Sequence, residues 1–209
     1  TYLELMLSDH NAFCAPPCKY GCPTRVDGPG FIGLIAAGDL EESQRVLKAN
    51  LPFPSILGRV CPHPCEEVCR REEVDQPISI CRSHRYVGDV AIEKAFHPEE
   101  PELATGKRVA VIGAGPAGLA NAYYLALKGH EVTIYDNMPE PGGTLRYGIP
   151  EYRLPRDIID AELKPIWEMG VKLQPNTSLG PDFSVDDLLG GMGYDAVFLG
   201  LGAMQSNPT

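Results

Sequence analysis

Cysteine is absent from most of this chain. All seven cysteines lie within the first 81 of the 209 residues, and the remaining 128 residues contain none. An odd number of cysteines confined to one end is a poor basis for a set of paired disulfides. The distribution favours metal ligation by the N-terminal part of the chain.

Other absences exclude further classes of protein. No run of about 18 apolar residues is present, so no bilayer-spanning helix is expected. No basic-then-apolar leader opens the chain, so we predict no export signal and a cytoplasmic location. Only 18 side chains are basic against 28 acidic, and a net charge of −10 disfavours non-specific nucleic-acid binding. The first residue is Thr1 rather than methionine, which indicates a piece of a longer protein.

Six of the cysteines form two matching triplets. Cys14-x3-Cys18-x3-Cys22 recurs 47 residues later as Cys61-x3-Cys65-x3-Cys69, with proline beside four of the six positions. Structural zinc sites usually contain Cys-x2-Cys pairs, which this spacing does not provide. Iron–sulfur clusters take thiolates from loops and helix ends, often next to proline. The repeat therefore favours two iron–sulfur clusters, with a zinc-stapled domain as the weaker alternative.

These motifs resemble a known two-cluster module. The stretches 14–23, 58–66 and 69–70 are similar to the N-terminal domain of the glutamate synthase small subunit, dihydropyrimidine dehydrogenase and related NADPH:ferredoxin oxidoreductases. The resemblance implies a small helical domain with two [4Fe–4S] clusters whose ligands interleave. It assigns Cys14, Cys18 and Cys69 to one cluster, and Cys22, Cys61 and Cys65 to the other.

The fourth ligand of each cluster is open. The family has a cysteine where this chain has Asn11, but His10 lies close by and resembles the ligand of histidine-ligated clusters in NADH dehydrogenases and hydrogenases. Imidazole can replace a thiolate on iron. The alternative is that His10 is a surface residue. For the second cluster the resemblance indicates His84, whereas thiol chemistry alone favours Cys81.

A dinucleotide-binding fingerprint follows the cysteine-rich part. Residues 109–112 form an apolar strand pattern, Gly113, Gly115 and Gly118 follow it, and residues 119–128 have a helical pattern. A second strand pattern, 131–135, leads to Asp136. In such a fold the glycines allow the backbone to approach a pyrophosphate, helix N–H groups bind it, and the acid accepts from a ribose hydroxyl. Pro116 and Ala117 belong to the same phosphate-binding turn.

The segment 141–150 resembles the continuation of the FAD site in the same family. The resemblance implies that FAD is contacted by Gly142, Gly143, Thr144, Leu145, Arg146, Gly148 and Ile149. A further apolar strand at 196–199 leads into a glycine turn that would place Gly202 near the cofactor. The pattern of residues 156–169 predicts an amphipathic helix. Pro165 lies inside it and should kink or split the helix.

The whole sequence thus predicts an α plus α/β chain. Residues 1–102 are expected to form the helical two-cluster domain, and residues 103–209 part of a doubly wound Rossmann-like FAD domain. No second glycine fingerprint is present, so NAD(P)H would bind a domain absent from this chain. The expected function is electron relay between NAD(P)H, FAD and a partner redox subunit. The alternative is a non-catalytic electron-wiring module without flavin.

Overall fold

The computed structural model describes residues 15–96 and 99–203. They form two compact units, and the first ends at Phe96. This division falls six residues before the predicted boundary at 102, because the residues after 98 bond to the second unit: the backbone N–H of Glu102 donates to Leu127 O at 2.7 Å. The His10 and Cys14 predictions lie outside the described residues.

The first unit consists of short helices, and its described residues contain no strand. The helices are α1 (Pro17–Gly21), α2 (Gly28–Ala37), α3 (Leu40–Lys48), α4 (Pro54–Val60), α5 (Pro64–Glu67) and α6 (Ile80–Glu93), with a 3₁₀ turn at Arg70–Glu73. Three of them, α1, α4 and α5, begin at a proline. Proline suits this position because its fixed φ is helical and its missing N–H has no intrahelical partner there.

Two glycines let α4 and α6 pack closely. A Cβ at Gly58 of α4 would lie 2.3 Å from Arg85 Cβ, and a Cβ at Gly88 of α6 would lie 2.5 Å from the backbone N of Ser55. Neither position has room for a side chain, so the helix backbones approach more closely than larger residues would allow. This contact brings the end of α4, which leads to Cys61, next to the first turn of α6.

The second unit is an open parallel sheet with helices. Its strands are β1 (Arg108–Ile112), β2 (Glu131–Tyr135), β3 (Lys172–Gln174) and β4 (Ala196–Leu199), and its helices are α7 (Pro116–Leu127), α8 (Thr144–Tyr147), α9 (Arg156–Glu168) and α10 (Val185–Leu189). The strand order is β3-β2-β1-β4, and all neighbouring pairs are parallel. The predicted α/β class is confirmed for this unit.

Some predicted elements differ from the structure. Helix α9 runs through Pro165 without interruption, so of the predicted kink or split, the split does not occur. The sequence pattern predicts a helix over residues 86–95, whereas helix α6 begins at Ile80, six residues earlier. Helix α4 and strand β3 were not predicted at all. Among the described residues, no helix combines the length and apolar character needed to cross a bilayer.

Candidate metal and cofactor sites

Short helices place four cysteines of the first unit around a cavity of about 230 Å³. Cys22 directly follows α1, Cys61 directly follows α4, and Cys65 lies in α5. The cavity is lined by these three residues together with Cys18, His84 and apolar side chains that include Leu51, Leu57, Val60 and Ile80. The structure therefore brings together residues from both cysteine triplets and from α6.

Cys61, Cys81 and His84 form a compact group of possible metal ligands. One ligand atom from each lies within 4.8 Å of the other two. The Nδ1 atom of His84 lies 3.1 Å from Pro54 O. In the tautomer that donates from Nδ1 to this carbonyl, Nε2 keeps its lone pair for a metal.

Burial dominates the electrostatics of these groups. It raises the pKa of Cys65 to about 12, and negative charge on Cys22, Glu66 and Cys61 adds to the effect. Burial also raises the pKa of Cys81 to about 11, with further contributions from Cys61 and Glu66. The pKa of His84 is lowered, chiefly by burial. The thiols of Cys65 and Cys81 are therefore protonated at neutral pH unless a metal displaces the proton.

At Cys22, the effects that lower the pKa of the thiol outweigh the effect that raises it. Burial raises the pKa of its thiol, but hydrogen bonds from the Thr24 side chain and from the backbone of Val26, Thr24 and Arg25 outweigh burial and lower it. The Thr24 hydroxyl lies 3.3 Å from Cys22 Sγ. At Cys61 the backbone N–H of His63 donates to Sγ at 3.3 Å. Donors of this kind stabilise thiolates and tune cluster potentials.

Cys18 and Cys69 are electrostatic neighbours. Burial raises the pKa of Cys18, and a negative charge on Cys69 raises it further. Cys69 immediately precedes the 3₁₀ turn. Their proximity accords with the interleaved assignment, in which they share a cluster with Cys14, although the assignment as a whole stays a prediction.

The donor set fits an iron–sulfur cluster. Four thiols and one imidazole line the same cavity, and thiolates with an occasional histidine are the ligands that such clusters take. A single zinc ion needs only four converging atoms, whereas this cavity has room for several atoms, since one water occupies about 30 Å³ of liquid volume. Cys61, Cys81 and His84 alone would also suit a single tetrahedral metal ion.

The second unit has a cleft of about 560 Å³ at the carboxyl ends of its strands. It lies where β1 is flanked by β2 on one side and β4 on the other, which is the point in a doubly wound sheet where ligands bind. Eight predicted cofactor residues line it: Gly113, Gly115, Pro116, Ala117, Asp136, Gly143, Thr144 and Gly202. Its volume is within the usual range for a small-molecule site.

Two glycines of the fingerprint are required by the fold, and one is not. A Cβ at Gly113, where φ is +106°, would lie 2.2 Å from Gly200 O, and a Cβ at Gly118 would lie 1.8 Å from Gly113 O. At Gly115 the nearest atom to an added Cβ is Gly143 Cα, at 4.0 Å. The space in front of Gly115 is therefore open to the cleft, as the approach of a pyrophosphate requires.

Asp136 follows β2 and lines the cleft. Its carboxylate accepts from the backbone N–H of Ala114 and, at 2.7 Å, from that of Met138. These bonds tie the end of β2 to the glycine turn after β1. The carboxylate is thus held at the place where a ribose hydroxyl is expected.

The remaining predicted cofactor residues do not line the cleft. They are Gly118, Gly142, Leu145, Arg146, Gly148 and Ile149. Arg146 is buried, and its guanidinium donates to Pro141 O at 2.7 Å and pairs with Glu140 and Asp160. It therefore braces the 140–146 turn in this structure. The Gly142 N–H likewise donates to Ala114 O, at 2.8 Å.

The cleft is also lined by residues that were not predicted from the sequence. Thr177, Ser178 and Leu179 line it from the segment after β3, and Leu201 lines it from the turn after β4. Residues 177–179 carry no motif, and their position depends on β3, which was not predicted. The turn after β4 was signalled by Gly200 and Gly202.

The first unit thus gathers thiols around a cavity, and the second unit presents a nucleotide-type cleft on a parallel sheet. Family models match both parts: dihydropyrimidine dehydrogenase domain II, 4Fe-4S cluster, over residues 9–96, and the NAD(P)-binding Rossmann-like domain over residues 111–162. The resemblance inferred from the motifs is confirmed.

Three curated relatives illustrate the kinds of protein to which this chain is similar in sequence. The chain is 43% identical to NADPH-Fe(3+) oxidoreductase subunit beta of Geobacter sulfurreducens, over 92% of this chain and 29% of the relative. It is 39% identical to NADP(+)-dependent formate dehydrogenase subunit beta of Moorella thermoacetica, over 95% and 31%. It is 37% identical to the glutamate synthase [NADPH] small chain of Escherichia coli, over 91% and 41%. The chain thus spans less than half the length of these relatives.

Proposed function

We propose that this chain is the two-cluster and FAD-binding part of an oxidoreductase subunit that relays electrons between NAD(P)H and a partner redox subunit. The NAD(P)H site would belong to a further domain. One cluster would be held by Cys22, Cys61, Cys65 and His84, and the other by Cys14, Cys18, Cys69 and His10. When bound, the flavin exchanges two electrons with a nicotinamide and the clusters carry them singly.

The cavity lined by residues of both triplets carries this proposal. Cys18 and Cys22 belong to the first triplet and Cys61 and Cys65 to the second, yet all four line one cavity with His84. Free structural thiols have no reason to converge in this way. Bonds from three segments to one inorganic cluster would hold the short helices of this unit together.

The cleft of the second unit supports a flavin rather than NADPH at this position. Asp136 presents a carboxylate where the first ribose is expected, and a 2′-phosphate would be repelled there. FAD has a free ribose hydroxyl at the corresponding place. The relatives named for NADPH or NADP(+) would then bind that nucleotide elsewhere in their longer chains.

The proposal also covers location and partners. Iron–sulfur clusters persist in reducing surroundings, which supports a cytoplasmic protein. The relatives named above are subunits, which supports a partner redox subunit that exchanges electrons with the clusters. The chain's own residues would set spacing and potential, chiefly through N–H···S bonds such as His63 to Cys61.

The first test is the cofactor content of the intact protein purified without oxygen. We expect about eight irons, eight sulfides and one FAD per chain, together with the broad absorbance of iron–sulfur clusters. Eight irons without flavin would favour the electron-wiring module instead. One zinc ion, or no metal, would contradict the cluster assignment and leave a nucleotide-binding fold.

A further inference from the structure

Cys81 is a buried thiol that neither triplet includes. It lies three residues before His84 on α6, a spacing that puts both side chains on one face of the helix. Both residues are buried, at 7% and 6% exposure. Their ligand atoms lie within 4.8 Å of each other and of the ligand atom of Cys61. Two donors of different charge therefore lie beside the same cysteine.

The two donors are held differently. The His84 ring is fixed by the 3.1 Å contact of Nδ1 with Pro54 O, and the residue lines the cavity. The Cys81 thiol makes a long contact of 3.8 Å with Gly58 O, and the residue does not line the cavity. Its backbone N–H donates to the Glu66 carboxylate at 2.8 Å, which holds the first turn of α6 in place. His84 is thus the donor already facing the cavity, and Cys81 lies one helical turn behind it.

We propose that Cys81 is a reserve ligand that replaces His84 on the fourth iron of the second cluster. This inference rests on the proposed function, which leaves one iron after Cys22, Cys61 and Cys65 have each taken one. In the exchange, one iron–nitrogen bond breaks and one iron–sulfur bond forms. His84 leaves as neutral imidazole, Cys81 binds as thiolate, its proton passes to solvent, and no electron is transferred. The exchanged cluster carries one more negative charge.

The test compares Cys81→Ala, His84→Ala and the double variant, all in the intact protein kept anaerobic. Ser83→Ala, between them on the same helix, serves as the matched control. Each sample is exposed to a ferrous-iron chelator, and iron, sulfide and the EPR spectrum of the reduced clusters are measured. We expect both single variants to keep about eight irons per chain, and the double variant to fall to about seven or fewer.

The reduction potential separates the two ligands. A thiolate stabilises oxidised iron more than a neutral imidazole does. The second cluster should therefore have an unchanged potential in Cys81→Ala, where His84 still binds, and a lower potential in His84→Ala. An unchanged far-UV circular dichroism spectrum would show that the variants fold.

Three results would overturn the inference. Iron loss in His84→Ala alone would make His84 the sole ligand, and iron loss in Cys81→Ala alone would make Cys81 the sole ligand. A double variant that keeps every iron would place the fourth ligand elsewhere. Failure of the proposed function itself is distinguishable, because the wild-type protein would then contain no iron–sulfur cluster before any substitution.

Discussion

Single residues decide whether the two candidate sites can hold a cofactor. At the thiol cavity, four hydrogen-bond contributions lower the pKa of Cys22, whereas burial raises the pKa of Cys65 and of Cys81. At the cleft, the glycines differ: Gly113 and Gly118 are needed by the fold, and Gly115 has open space in front of it. Folding and binding can therefore be separated by substitution.

We expect Gly115→Ala to fold normally and bind FAD weakly. Its Cβ meets no protein atom closer than 4.0 Å but enters the space that a pyrophosphate needs. A clash of about 1–3 kcal/mol would weaken flavin binding by about five- to 150-fold. Flavin retained after gel filtration, with iron content measured on the same sample, checks this.

Gly118→Ala is the matched comparison. Its Cβ would lie 1.8 Å from Gly113 O, so β1 and α7 cannot keep their contact, and we expect a loss of about 3 kcal/mol in the free energy of unfolding. If Gly115→Ala instead kept full flavin occupancy, the pyrophosphate would not lie at this turn.

At the scale of elements, the thiol cavity depends on how α4 and α6 cross. Gly58 and Gly88 make that crossing close, and Arg59 of α4 pairs with Asp89 of α6 at 2.7 Å with the guanidinium mostly buried. The crossing holds Cys61, at the end of α4, near His84 on α6. Ligands from distant parts of the sequence thus meet through helix packing.

We expect Gly88→Ala to loosen the second cluster. The added Cβ would lie 2.5 Å from the Ser55 backbone N, which should cost about 1–3 kcal/mol of unfolding free energy and speed iron release. Gly33→Ala on α2 is the control, because an added Cβ there meets nothing within 4 Å. It should stabilise the protein by about 0.5–1 kcal/mol. Equal iron release from both variants would show that the crossing does not position the ligands.

How far the sequence predicts each element depends on where its stability comes from. Strand β1 contains the apolar run 109–112 and is followed by Gly113, strand β2 is followed by Asp136, and both strands lie where predicted. Helix α4 has seven residues, two of them the packing residues Gly58 and Arg59, so tertiary contacts rather than local pattern make it helical. The polar first turn of α6 was likewise missed, although it carries Cys81 and His84.

The predictions of site residues also depended on whether a local sequence pattern or a distant contact positions the residue. Residues in contiguous motifs, such as Gly113 and Gly115, line the cleft as expected. Arg146 was predicted from resemblance to contact FAD, but it pairs with Asp160, fourteen positions away, which no local pattern reveals. The choice between Cys81 and His84 also needs three-dimensional information, because both lie near Cys61.

At the scale of the whole molecule, the described residues of each unit pack an apolar cluster of their own, and cysteines contribute only to that of the first unit. In the first unit the buried cluster includes Cys65 and is packed by Cys18 and Cys22. In the second, Tyr135 and Tyr194 share a 2.8 Å hydrogen bond beside Phe183 and Leu188. We therefore expect the first unit to depend on its metal for stability and the second to remain folded without it.

The central claim is that neighbouring cysteines of one triplet serve different clusters. The most direct measurement is the EPR spectrum of dithionite-reduced Cys18→Ala and Cys22→Ala proteins, prepared without oxygen. The account predicts that each variant loses a different cluster signal, that Cys18→Ala matches Cys69→Ala, and that Cys22→Ala matches Cys65→Ala. Loss of the same signal in Cys18→Ala and Cys22→Ala would contradict the interleaved arrangement.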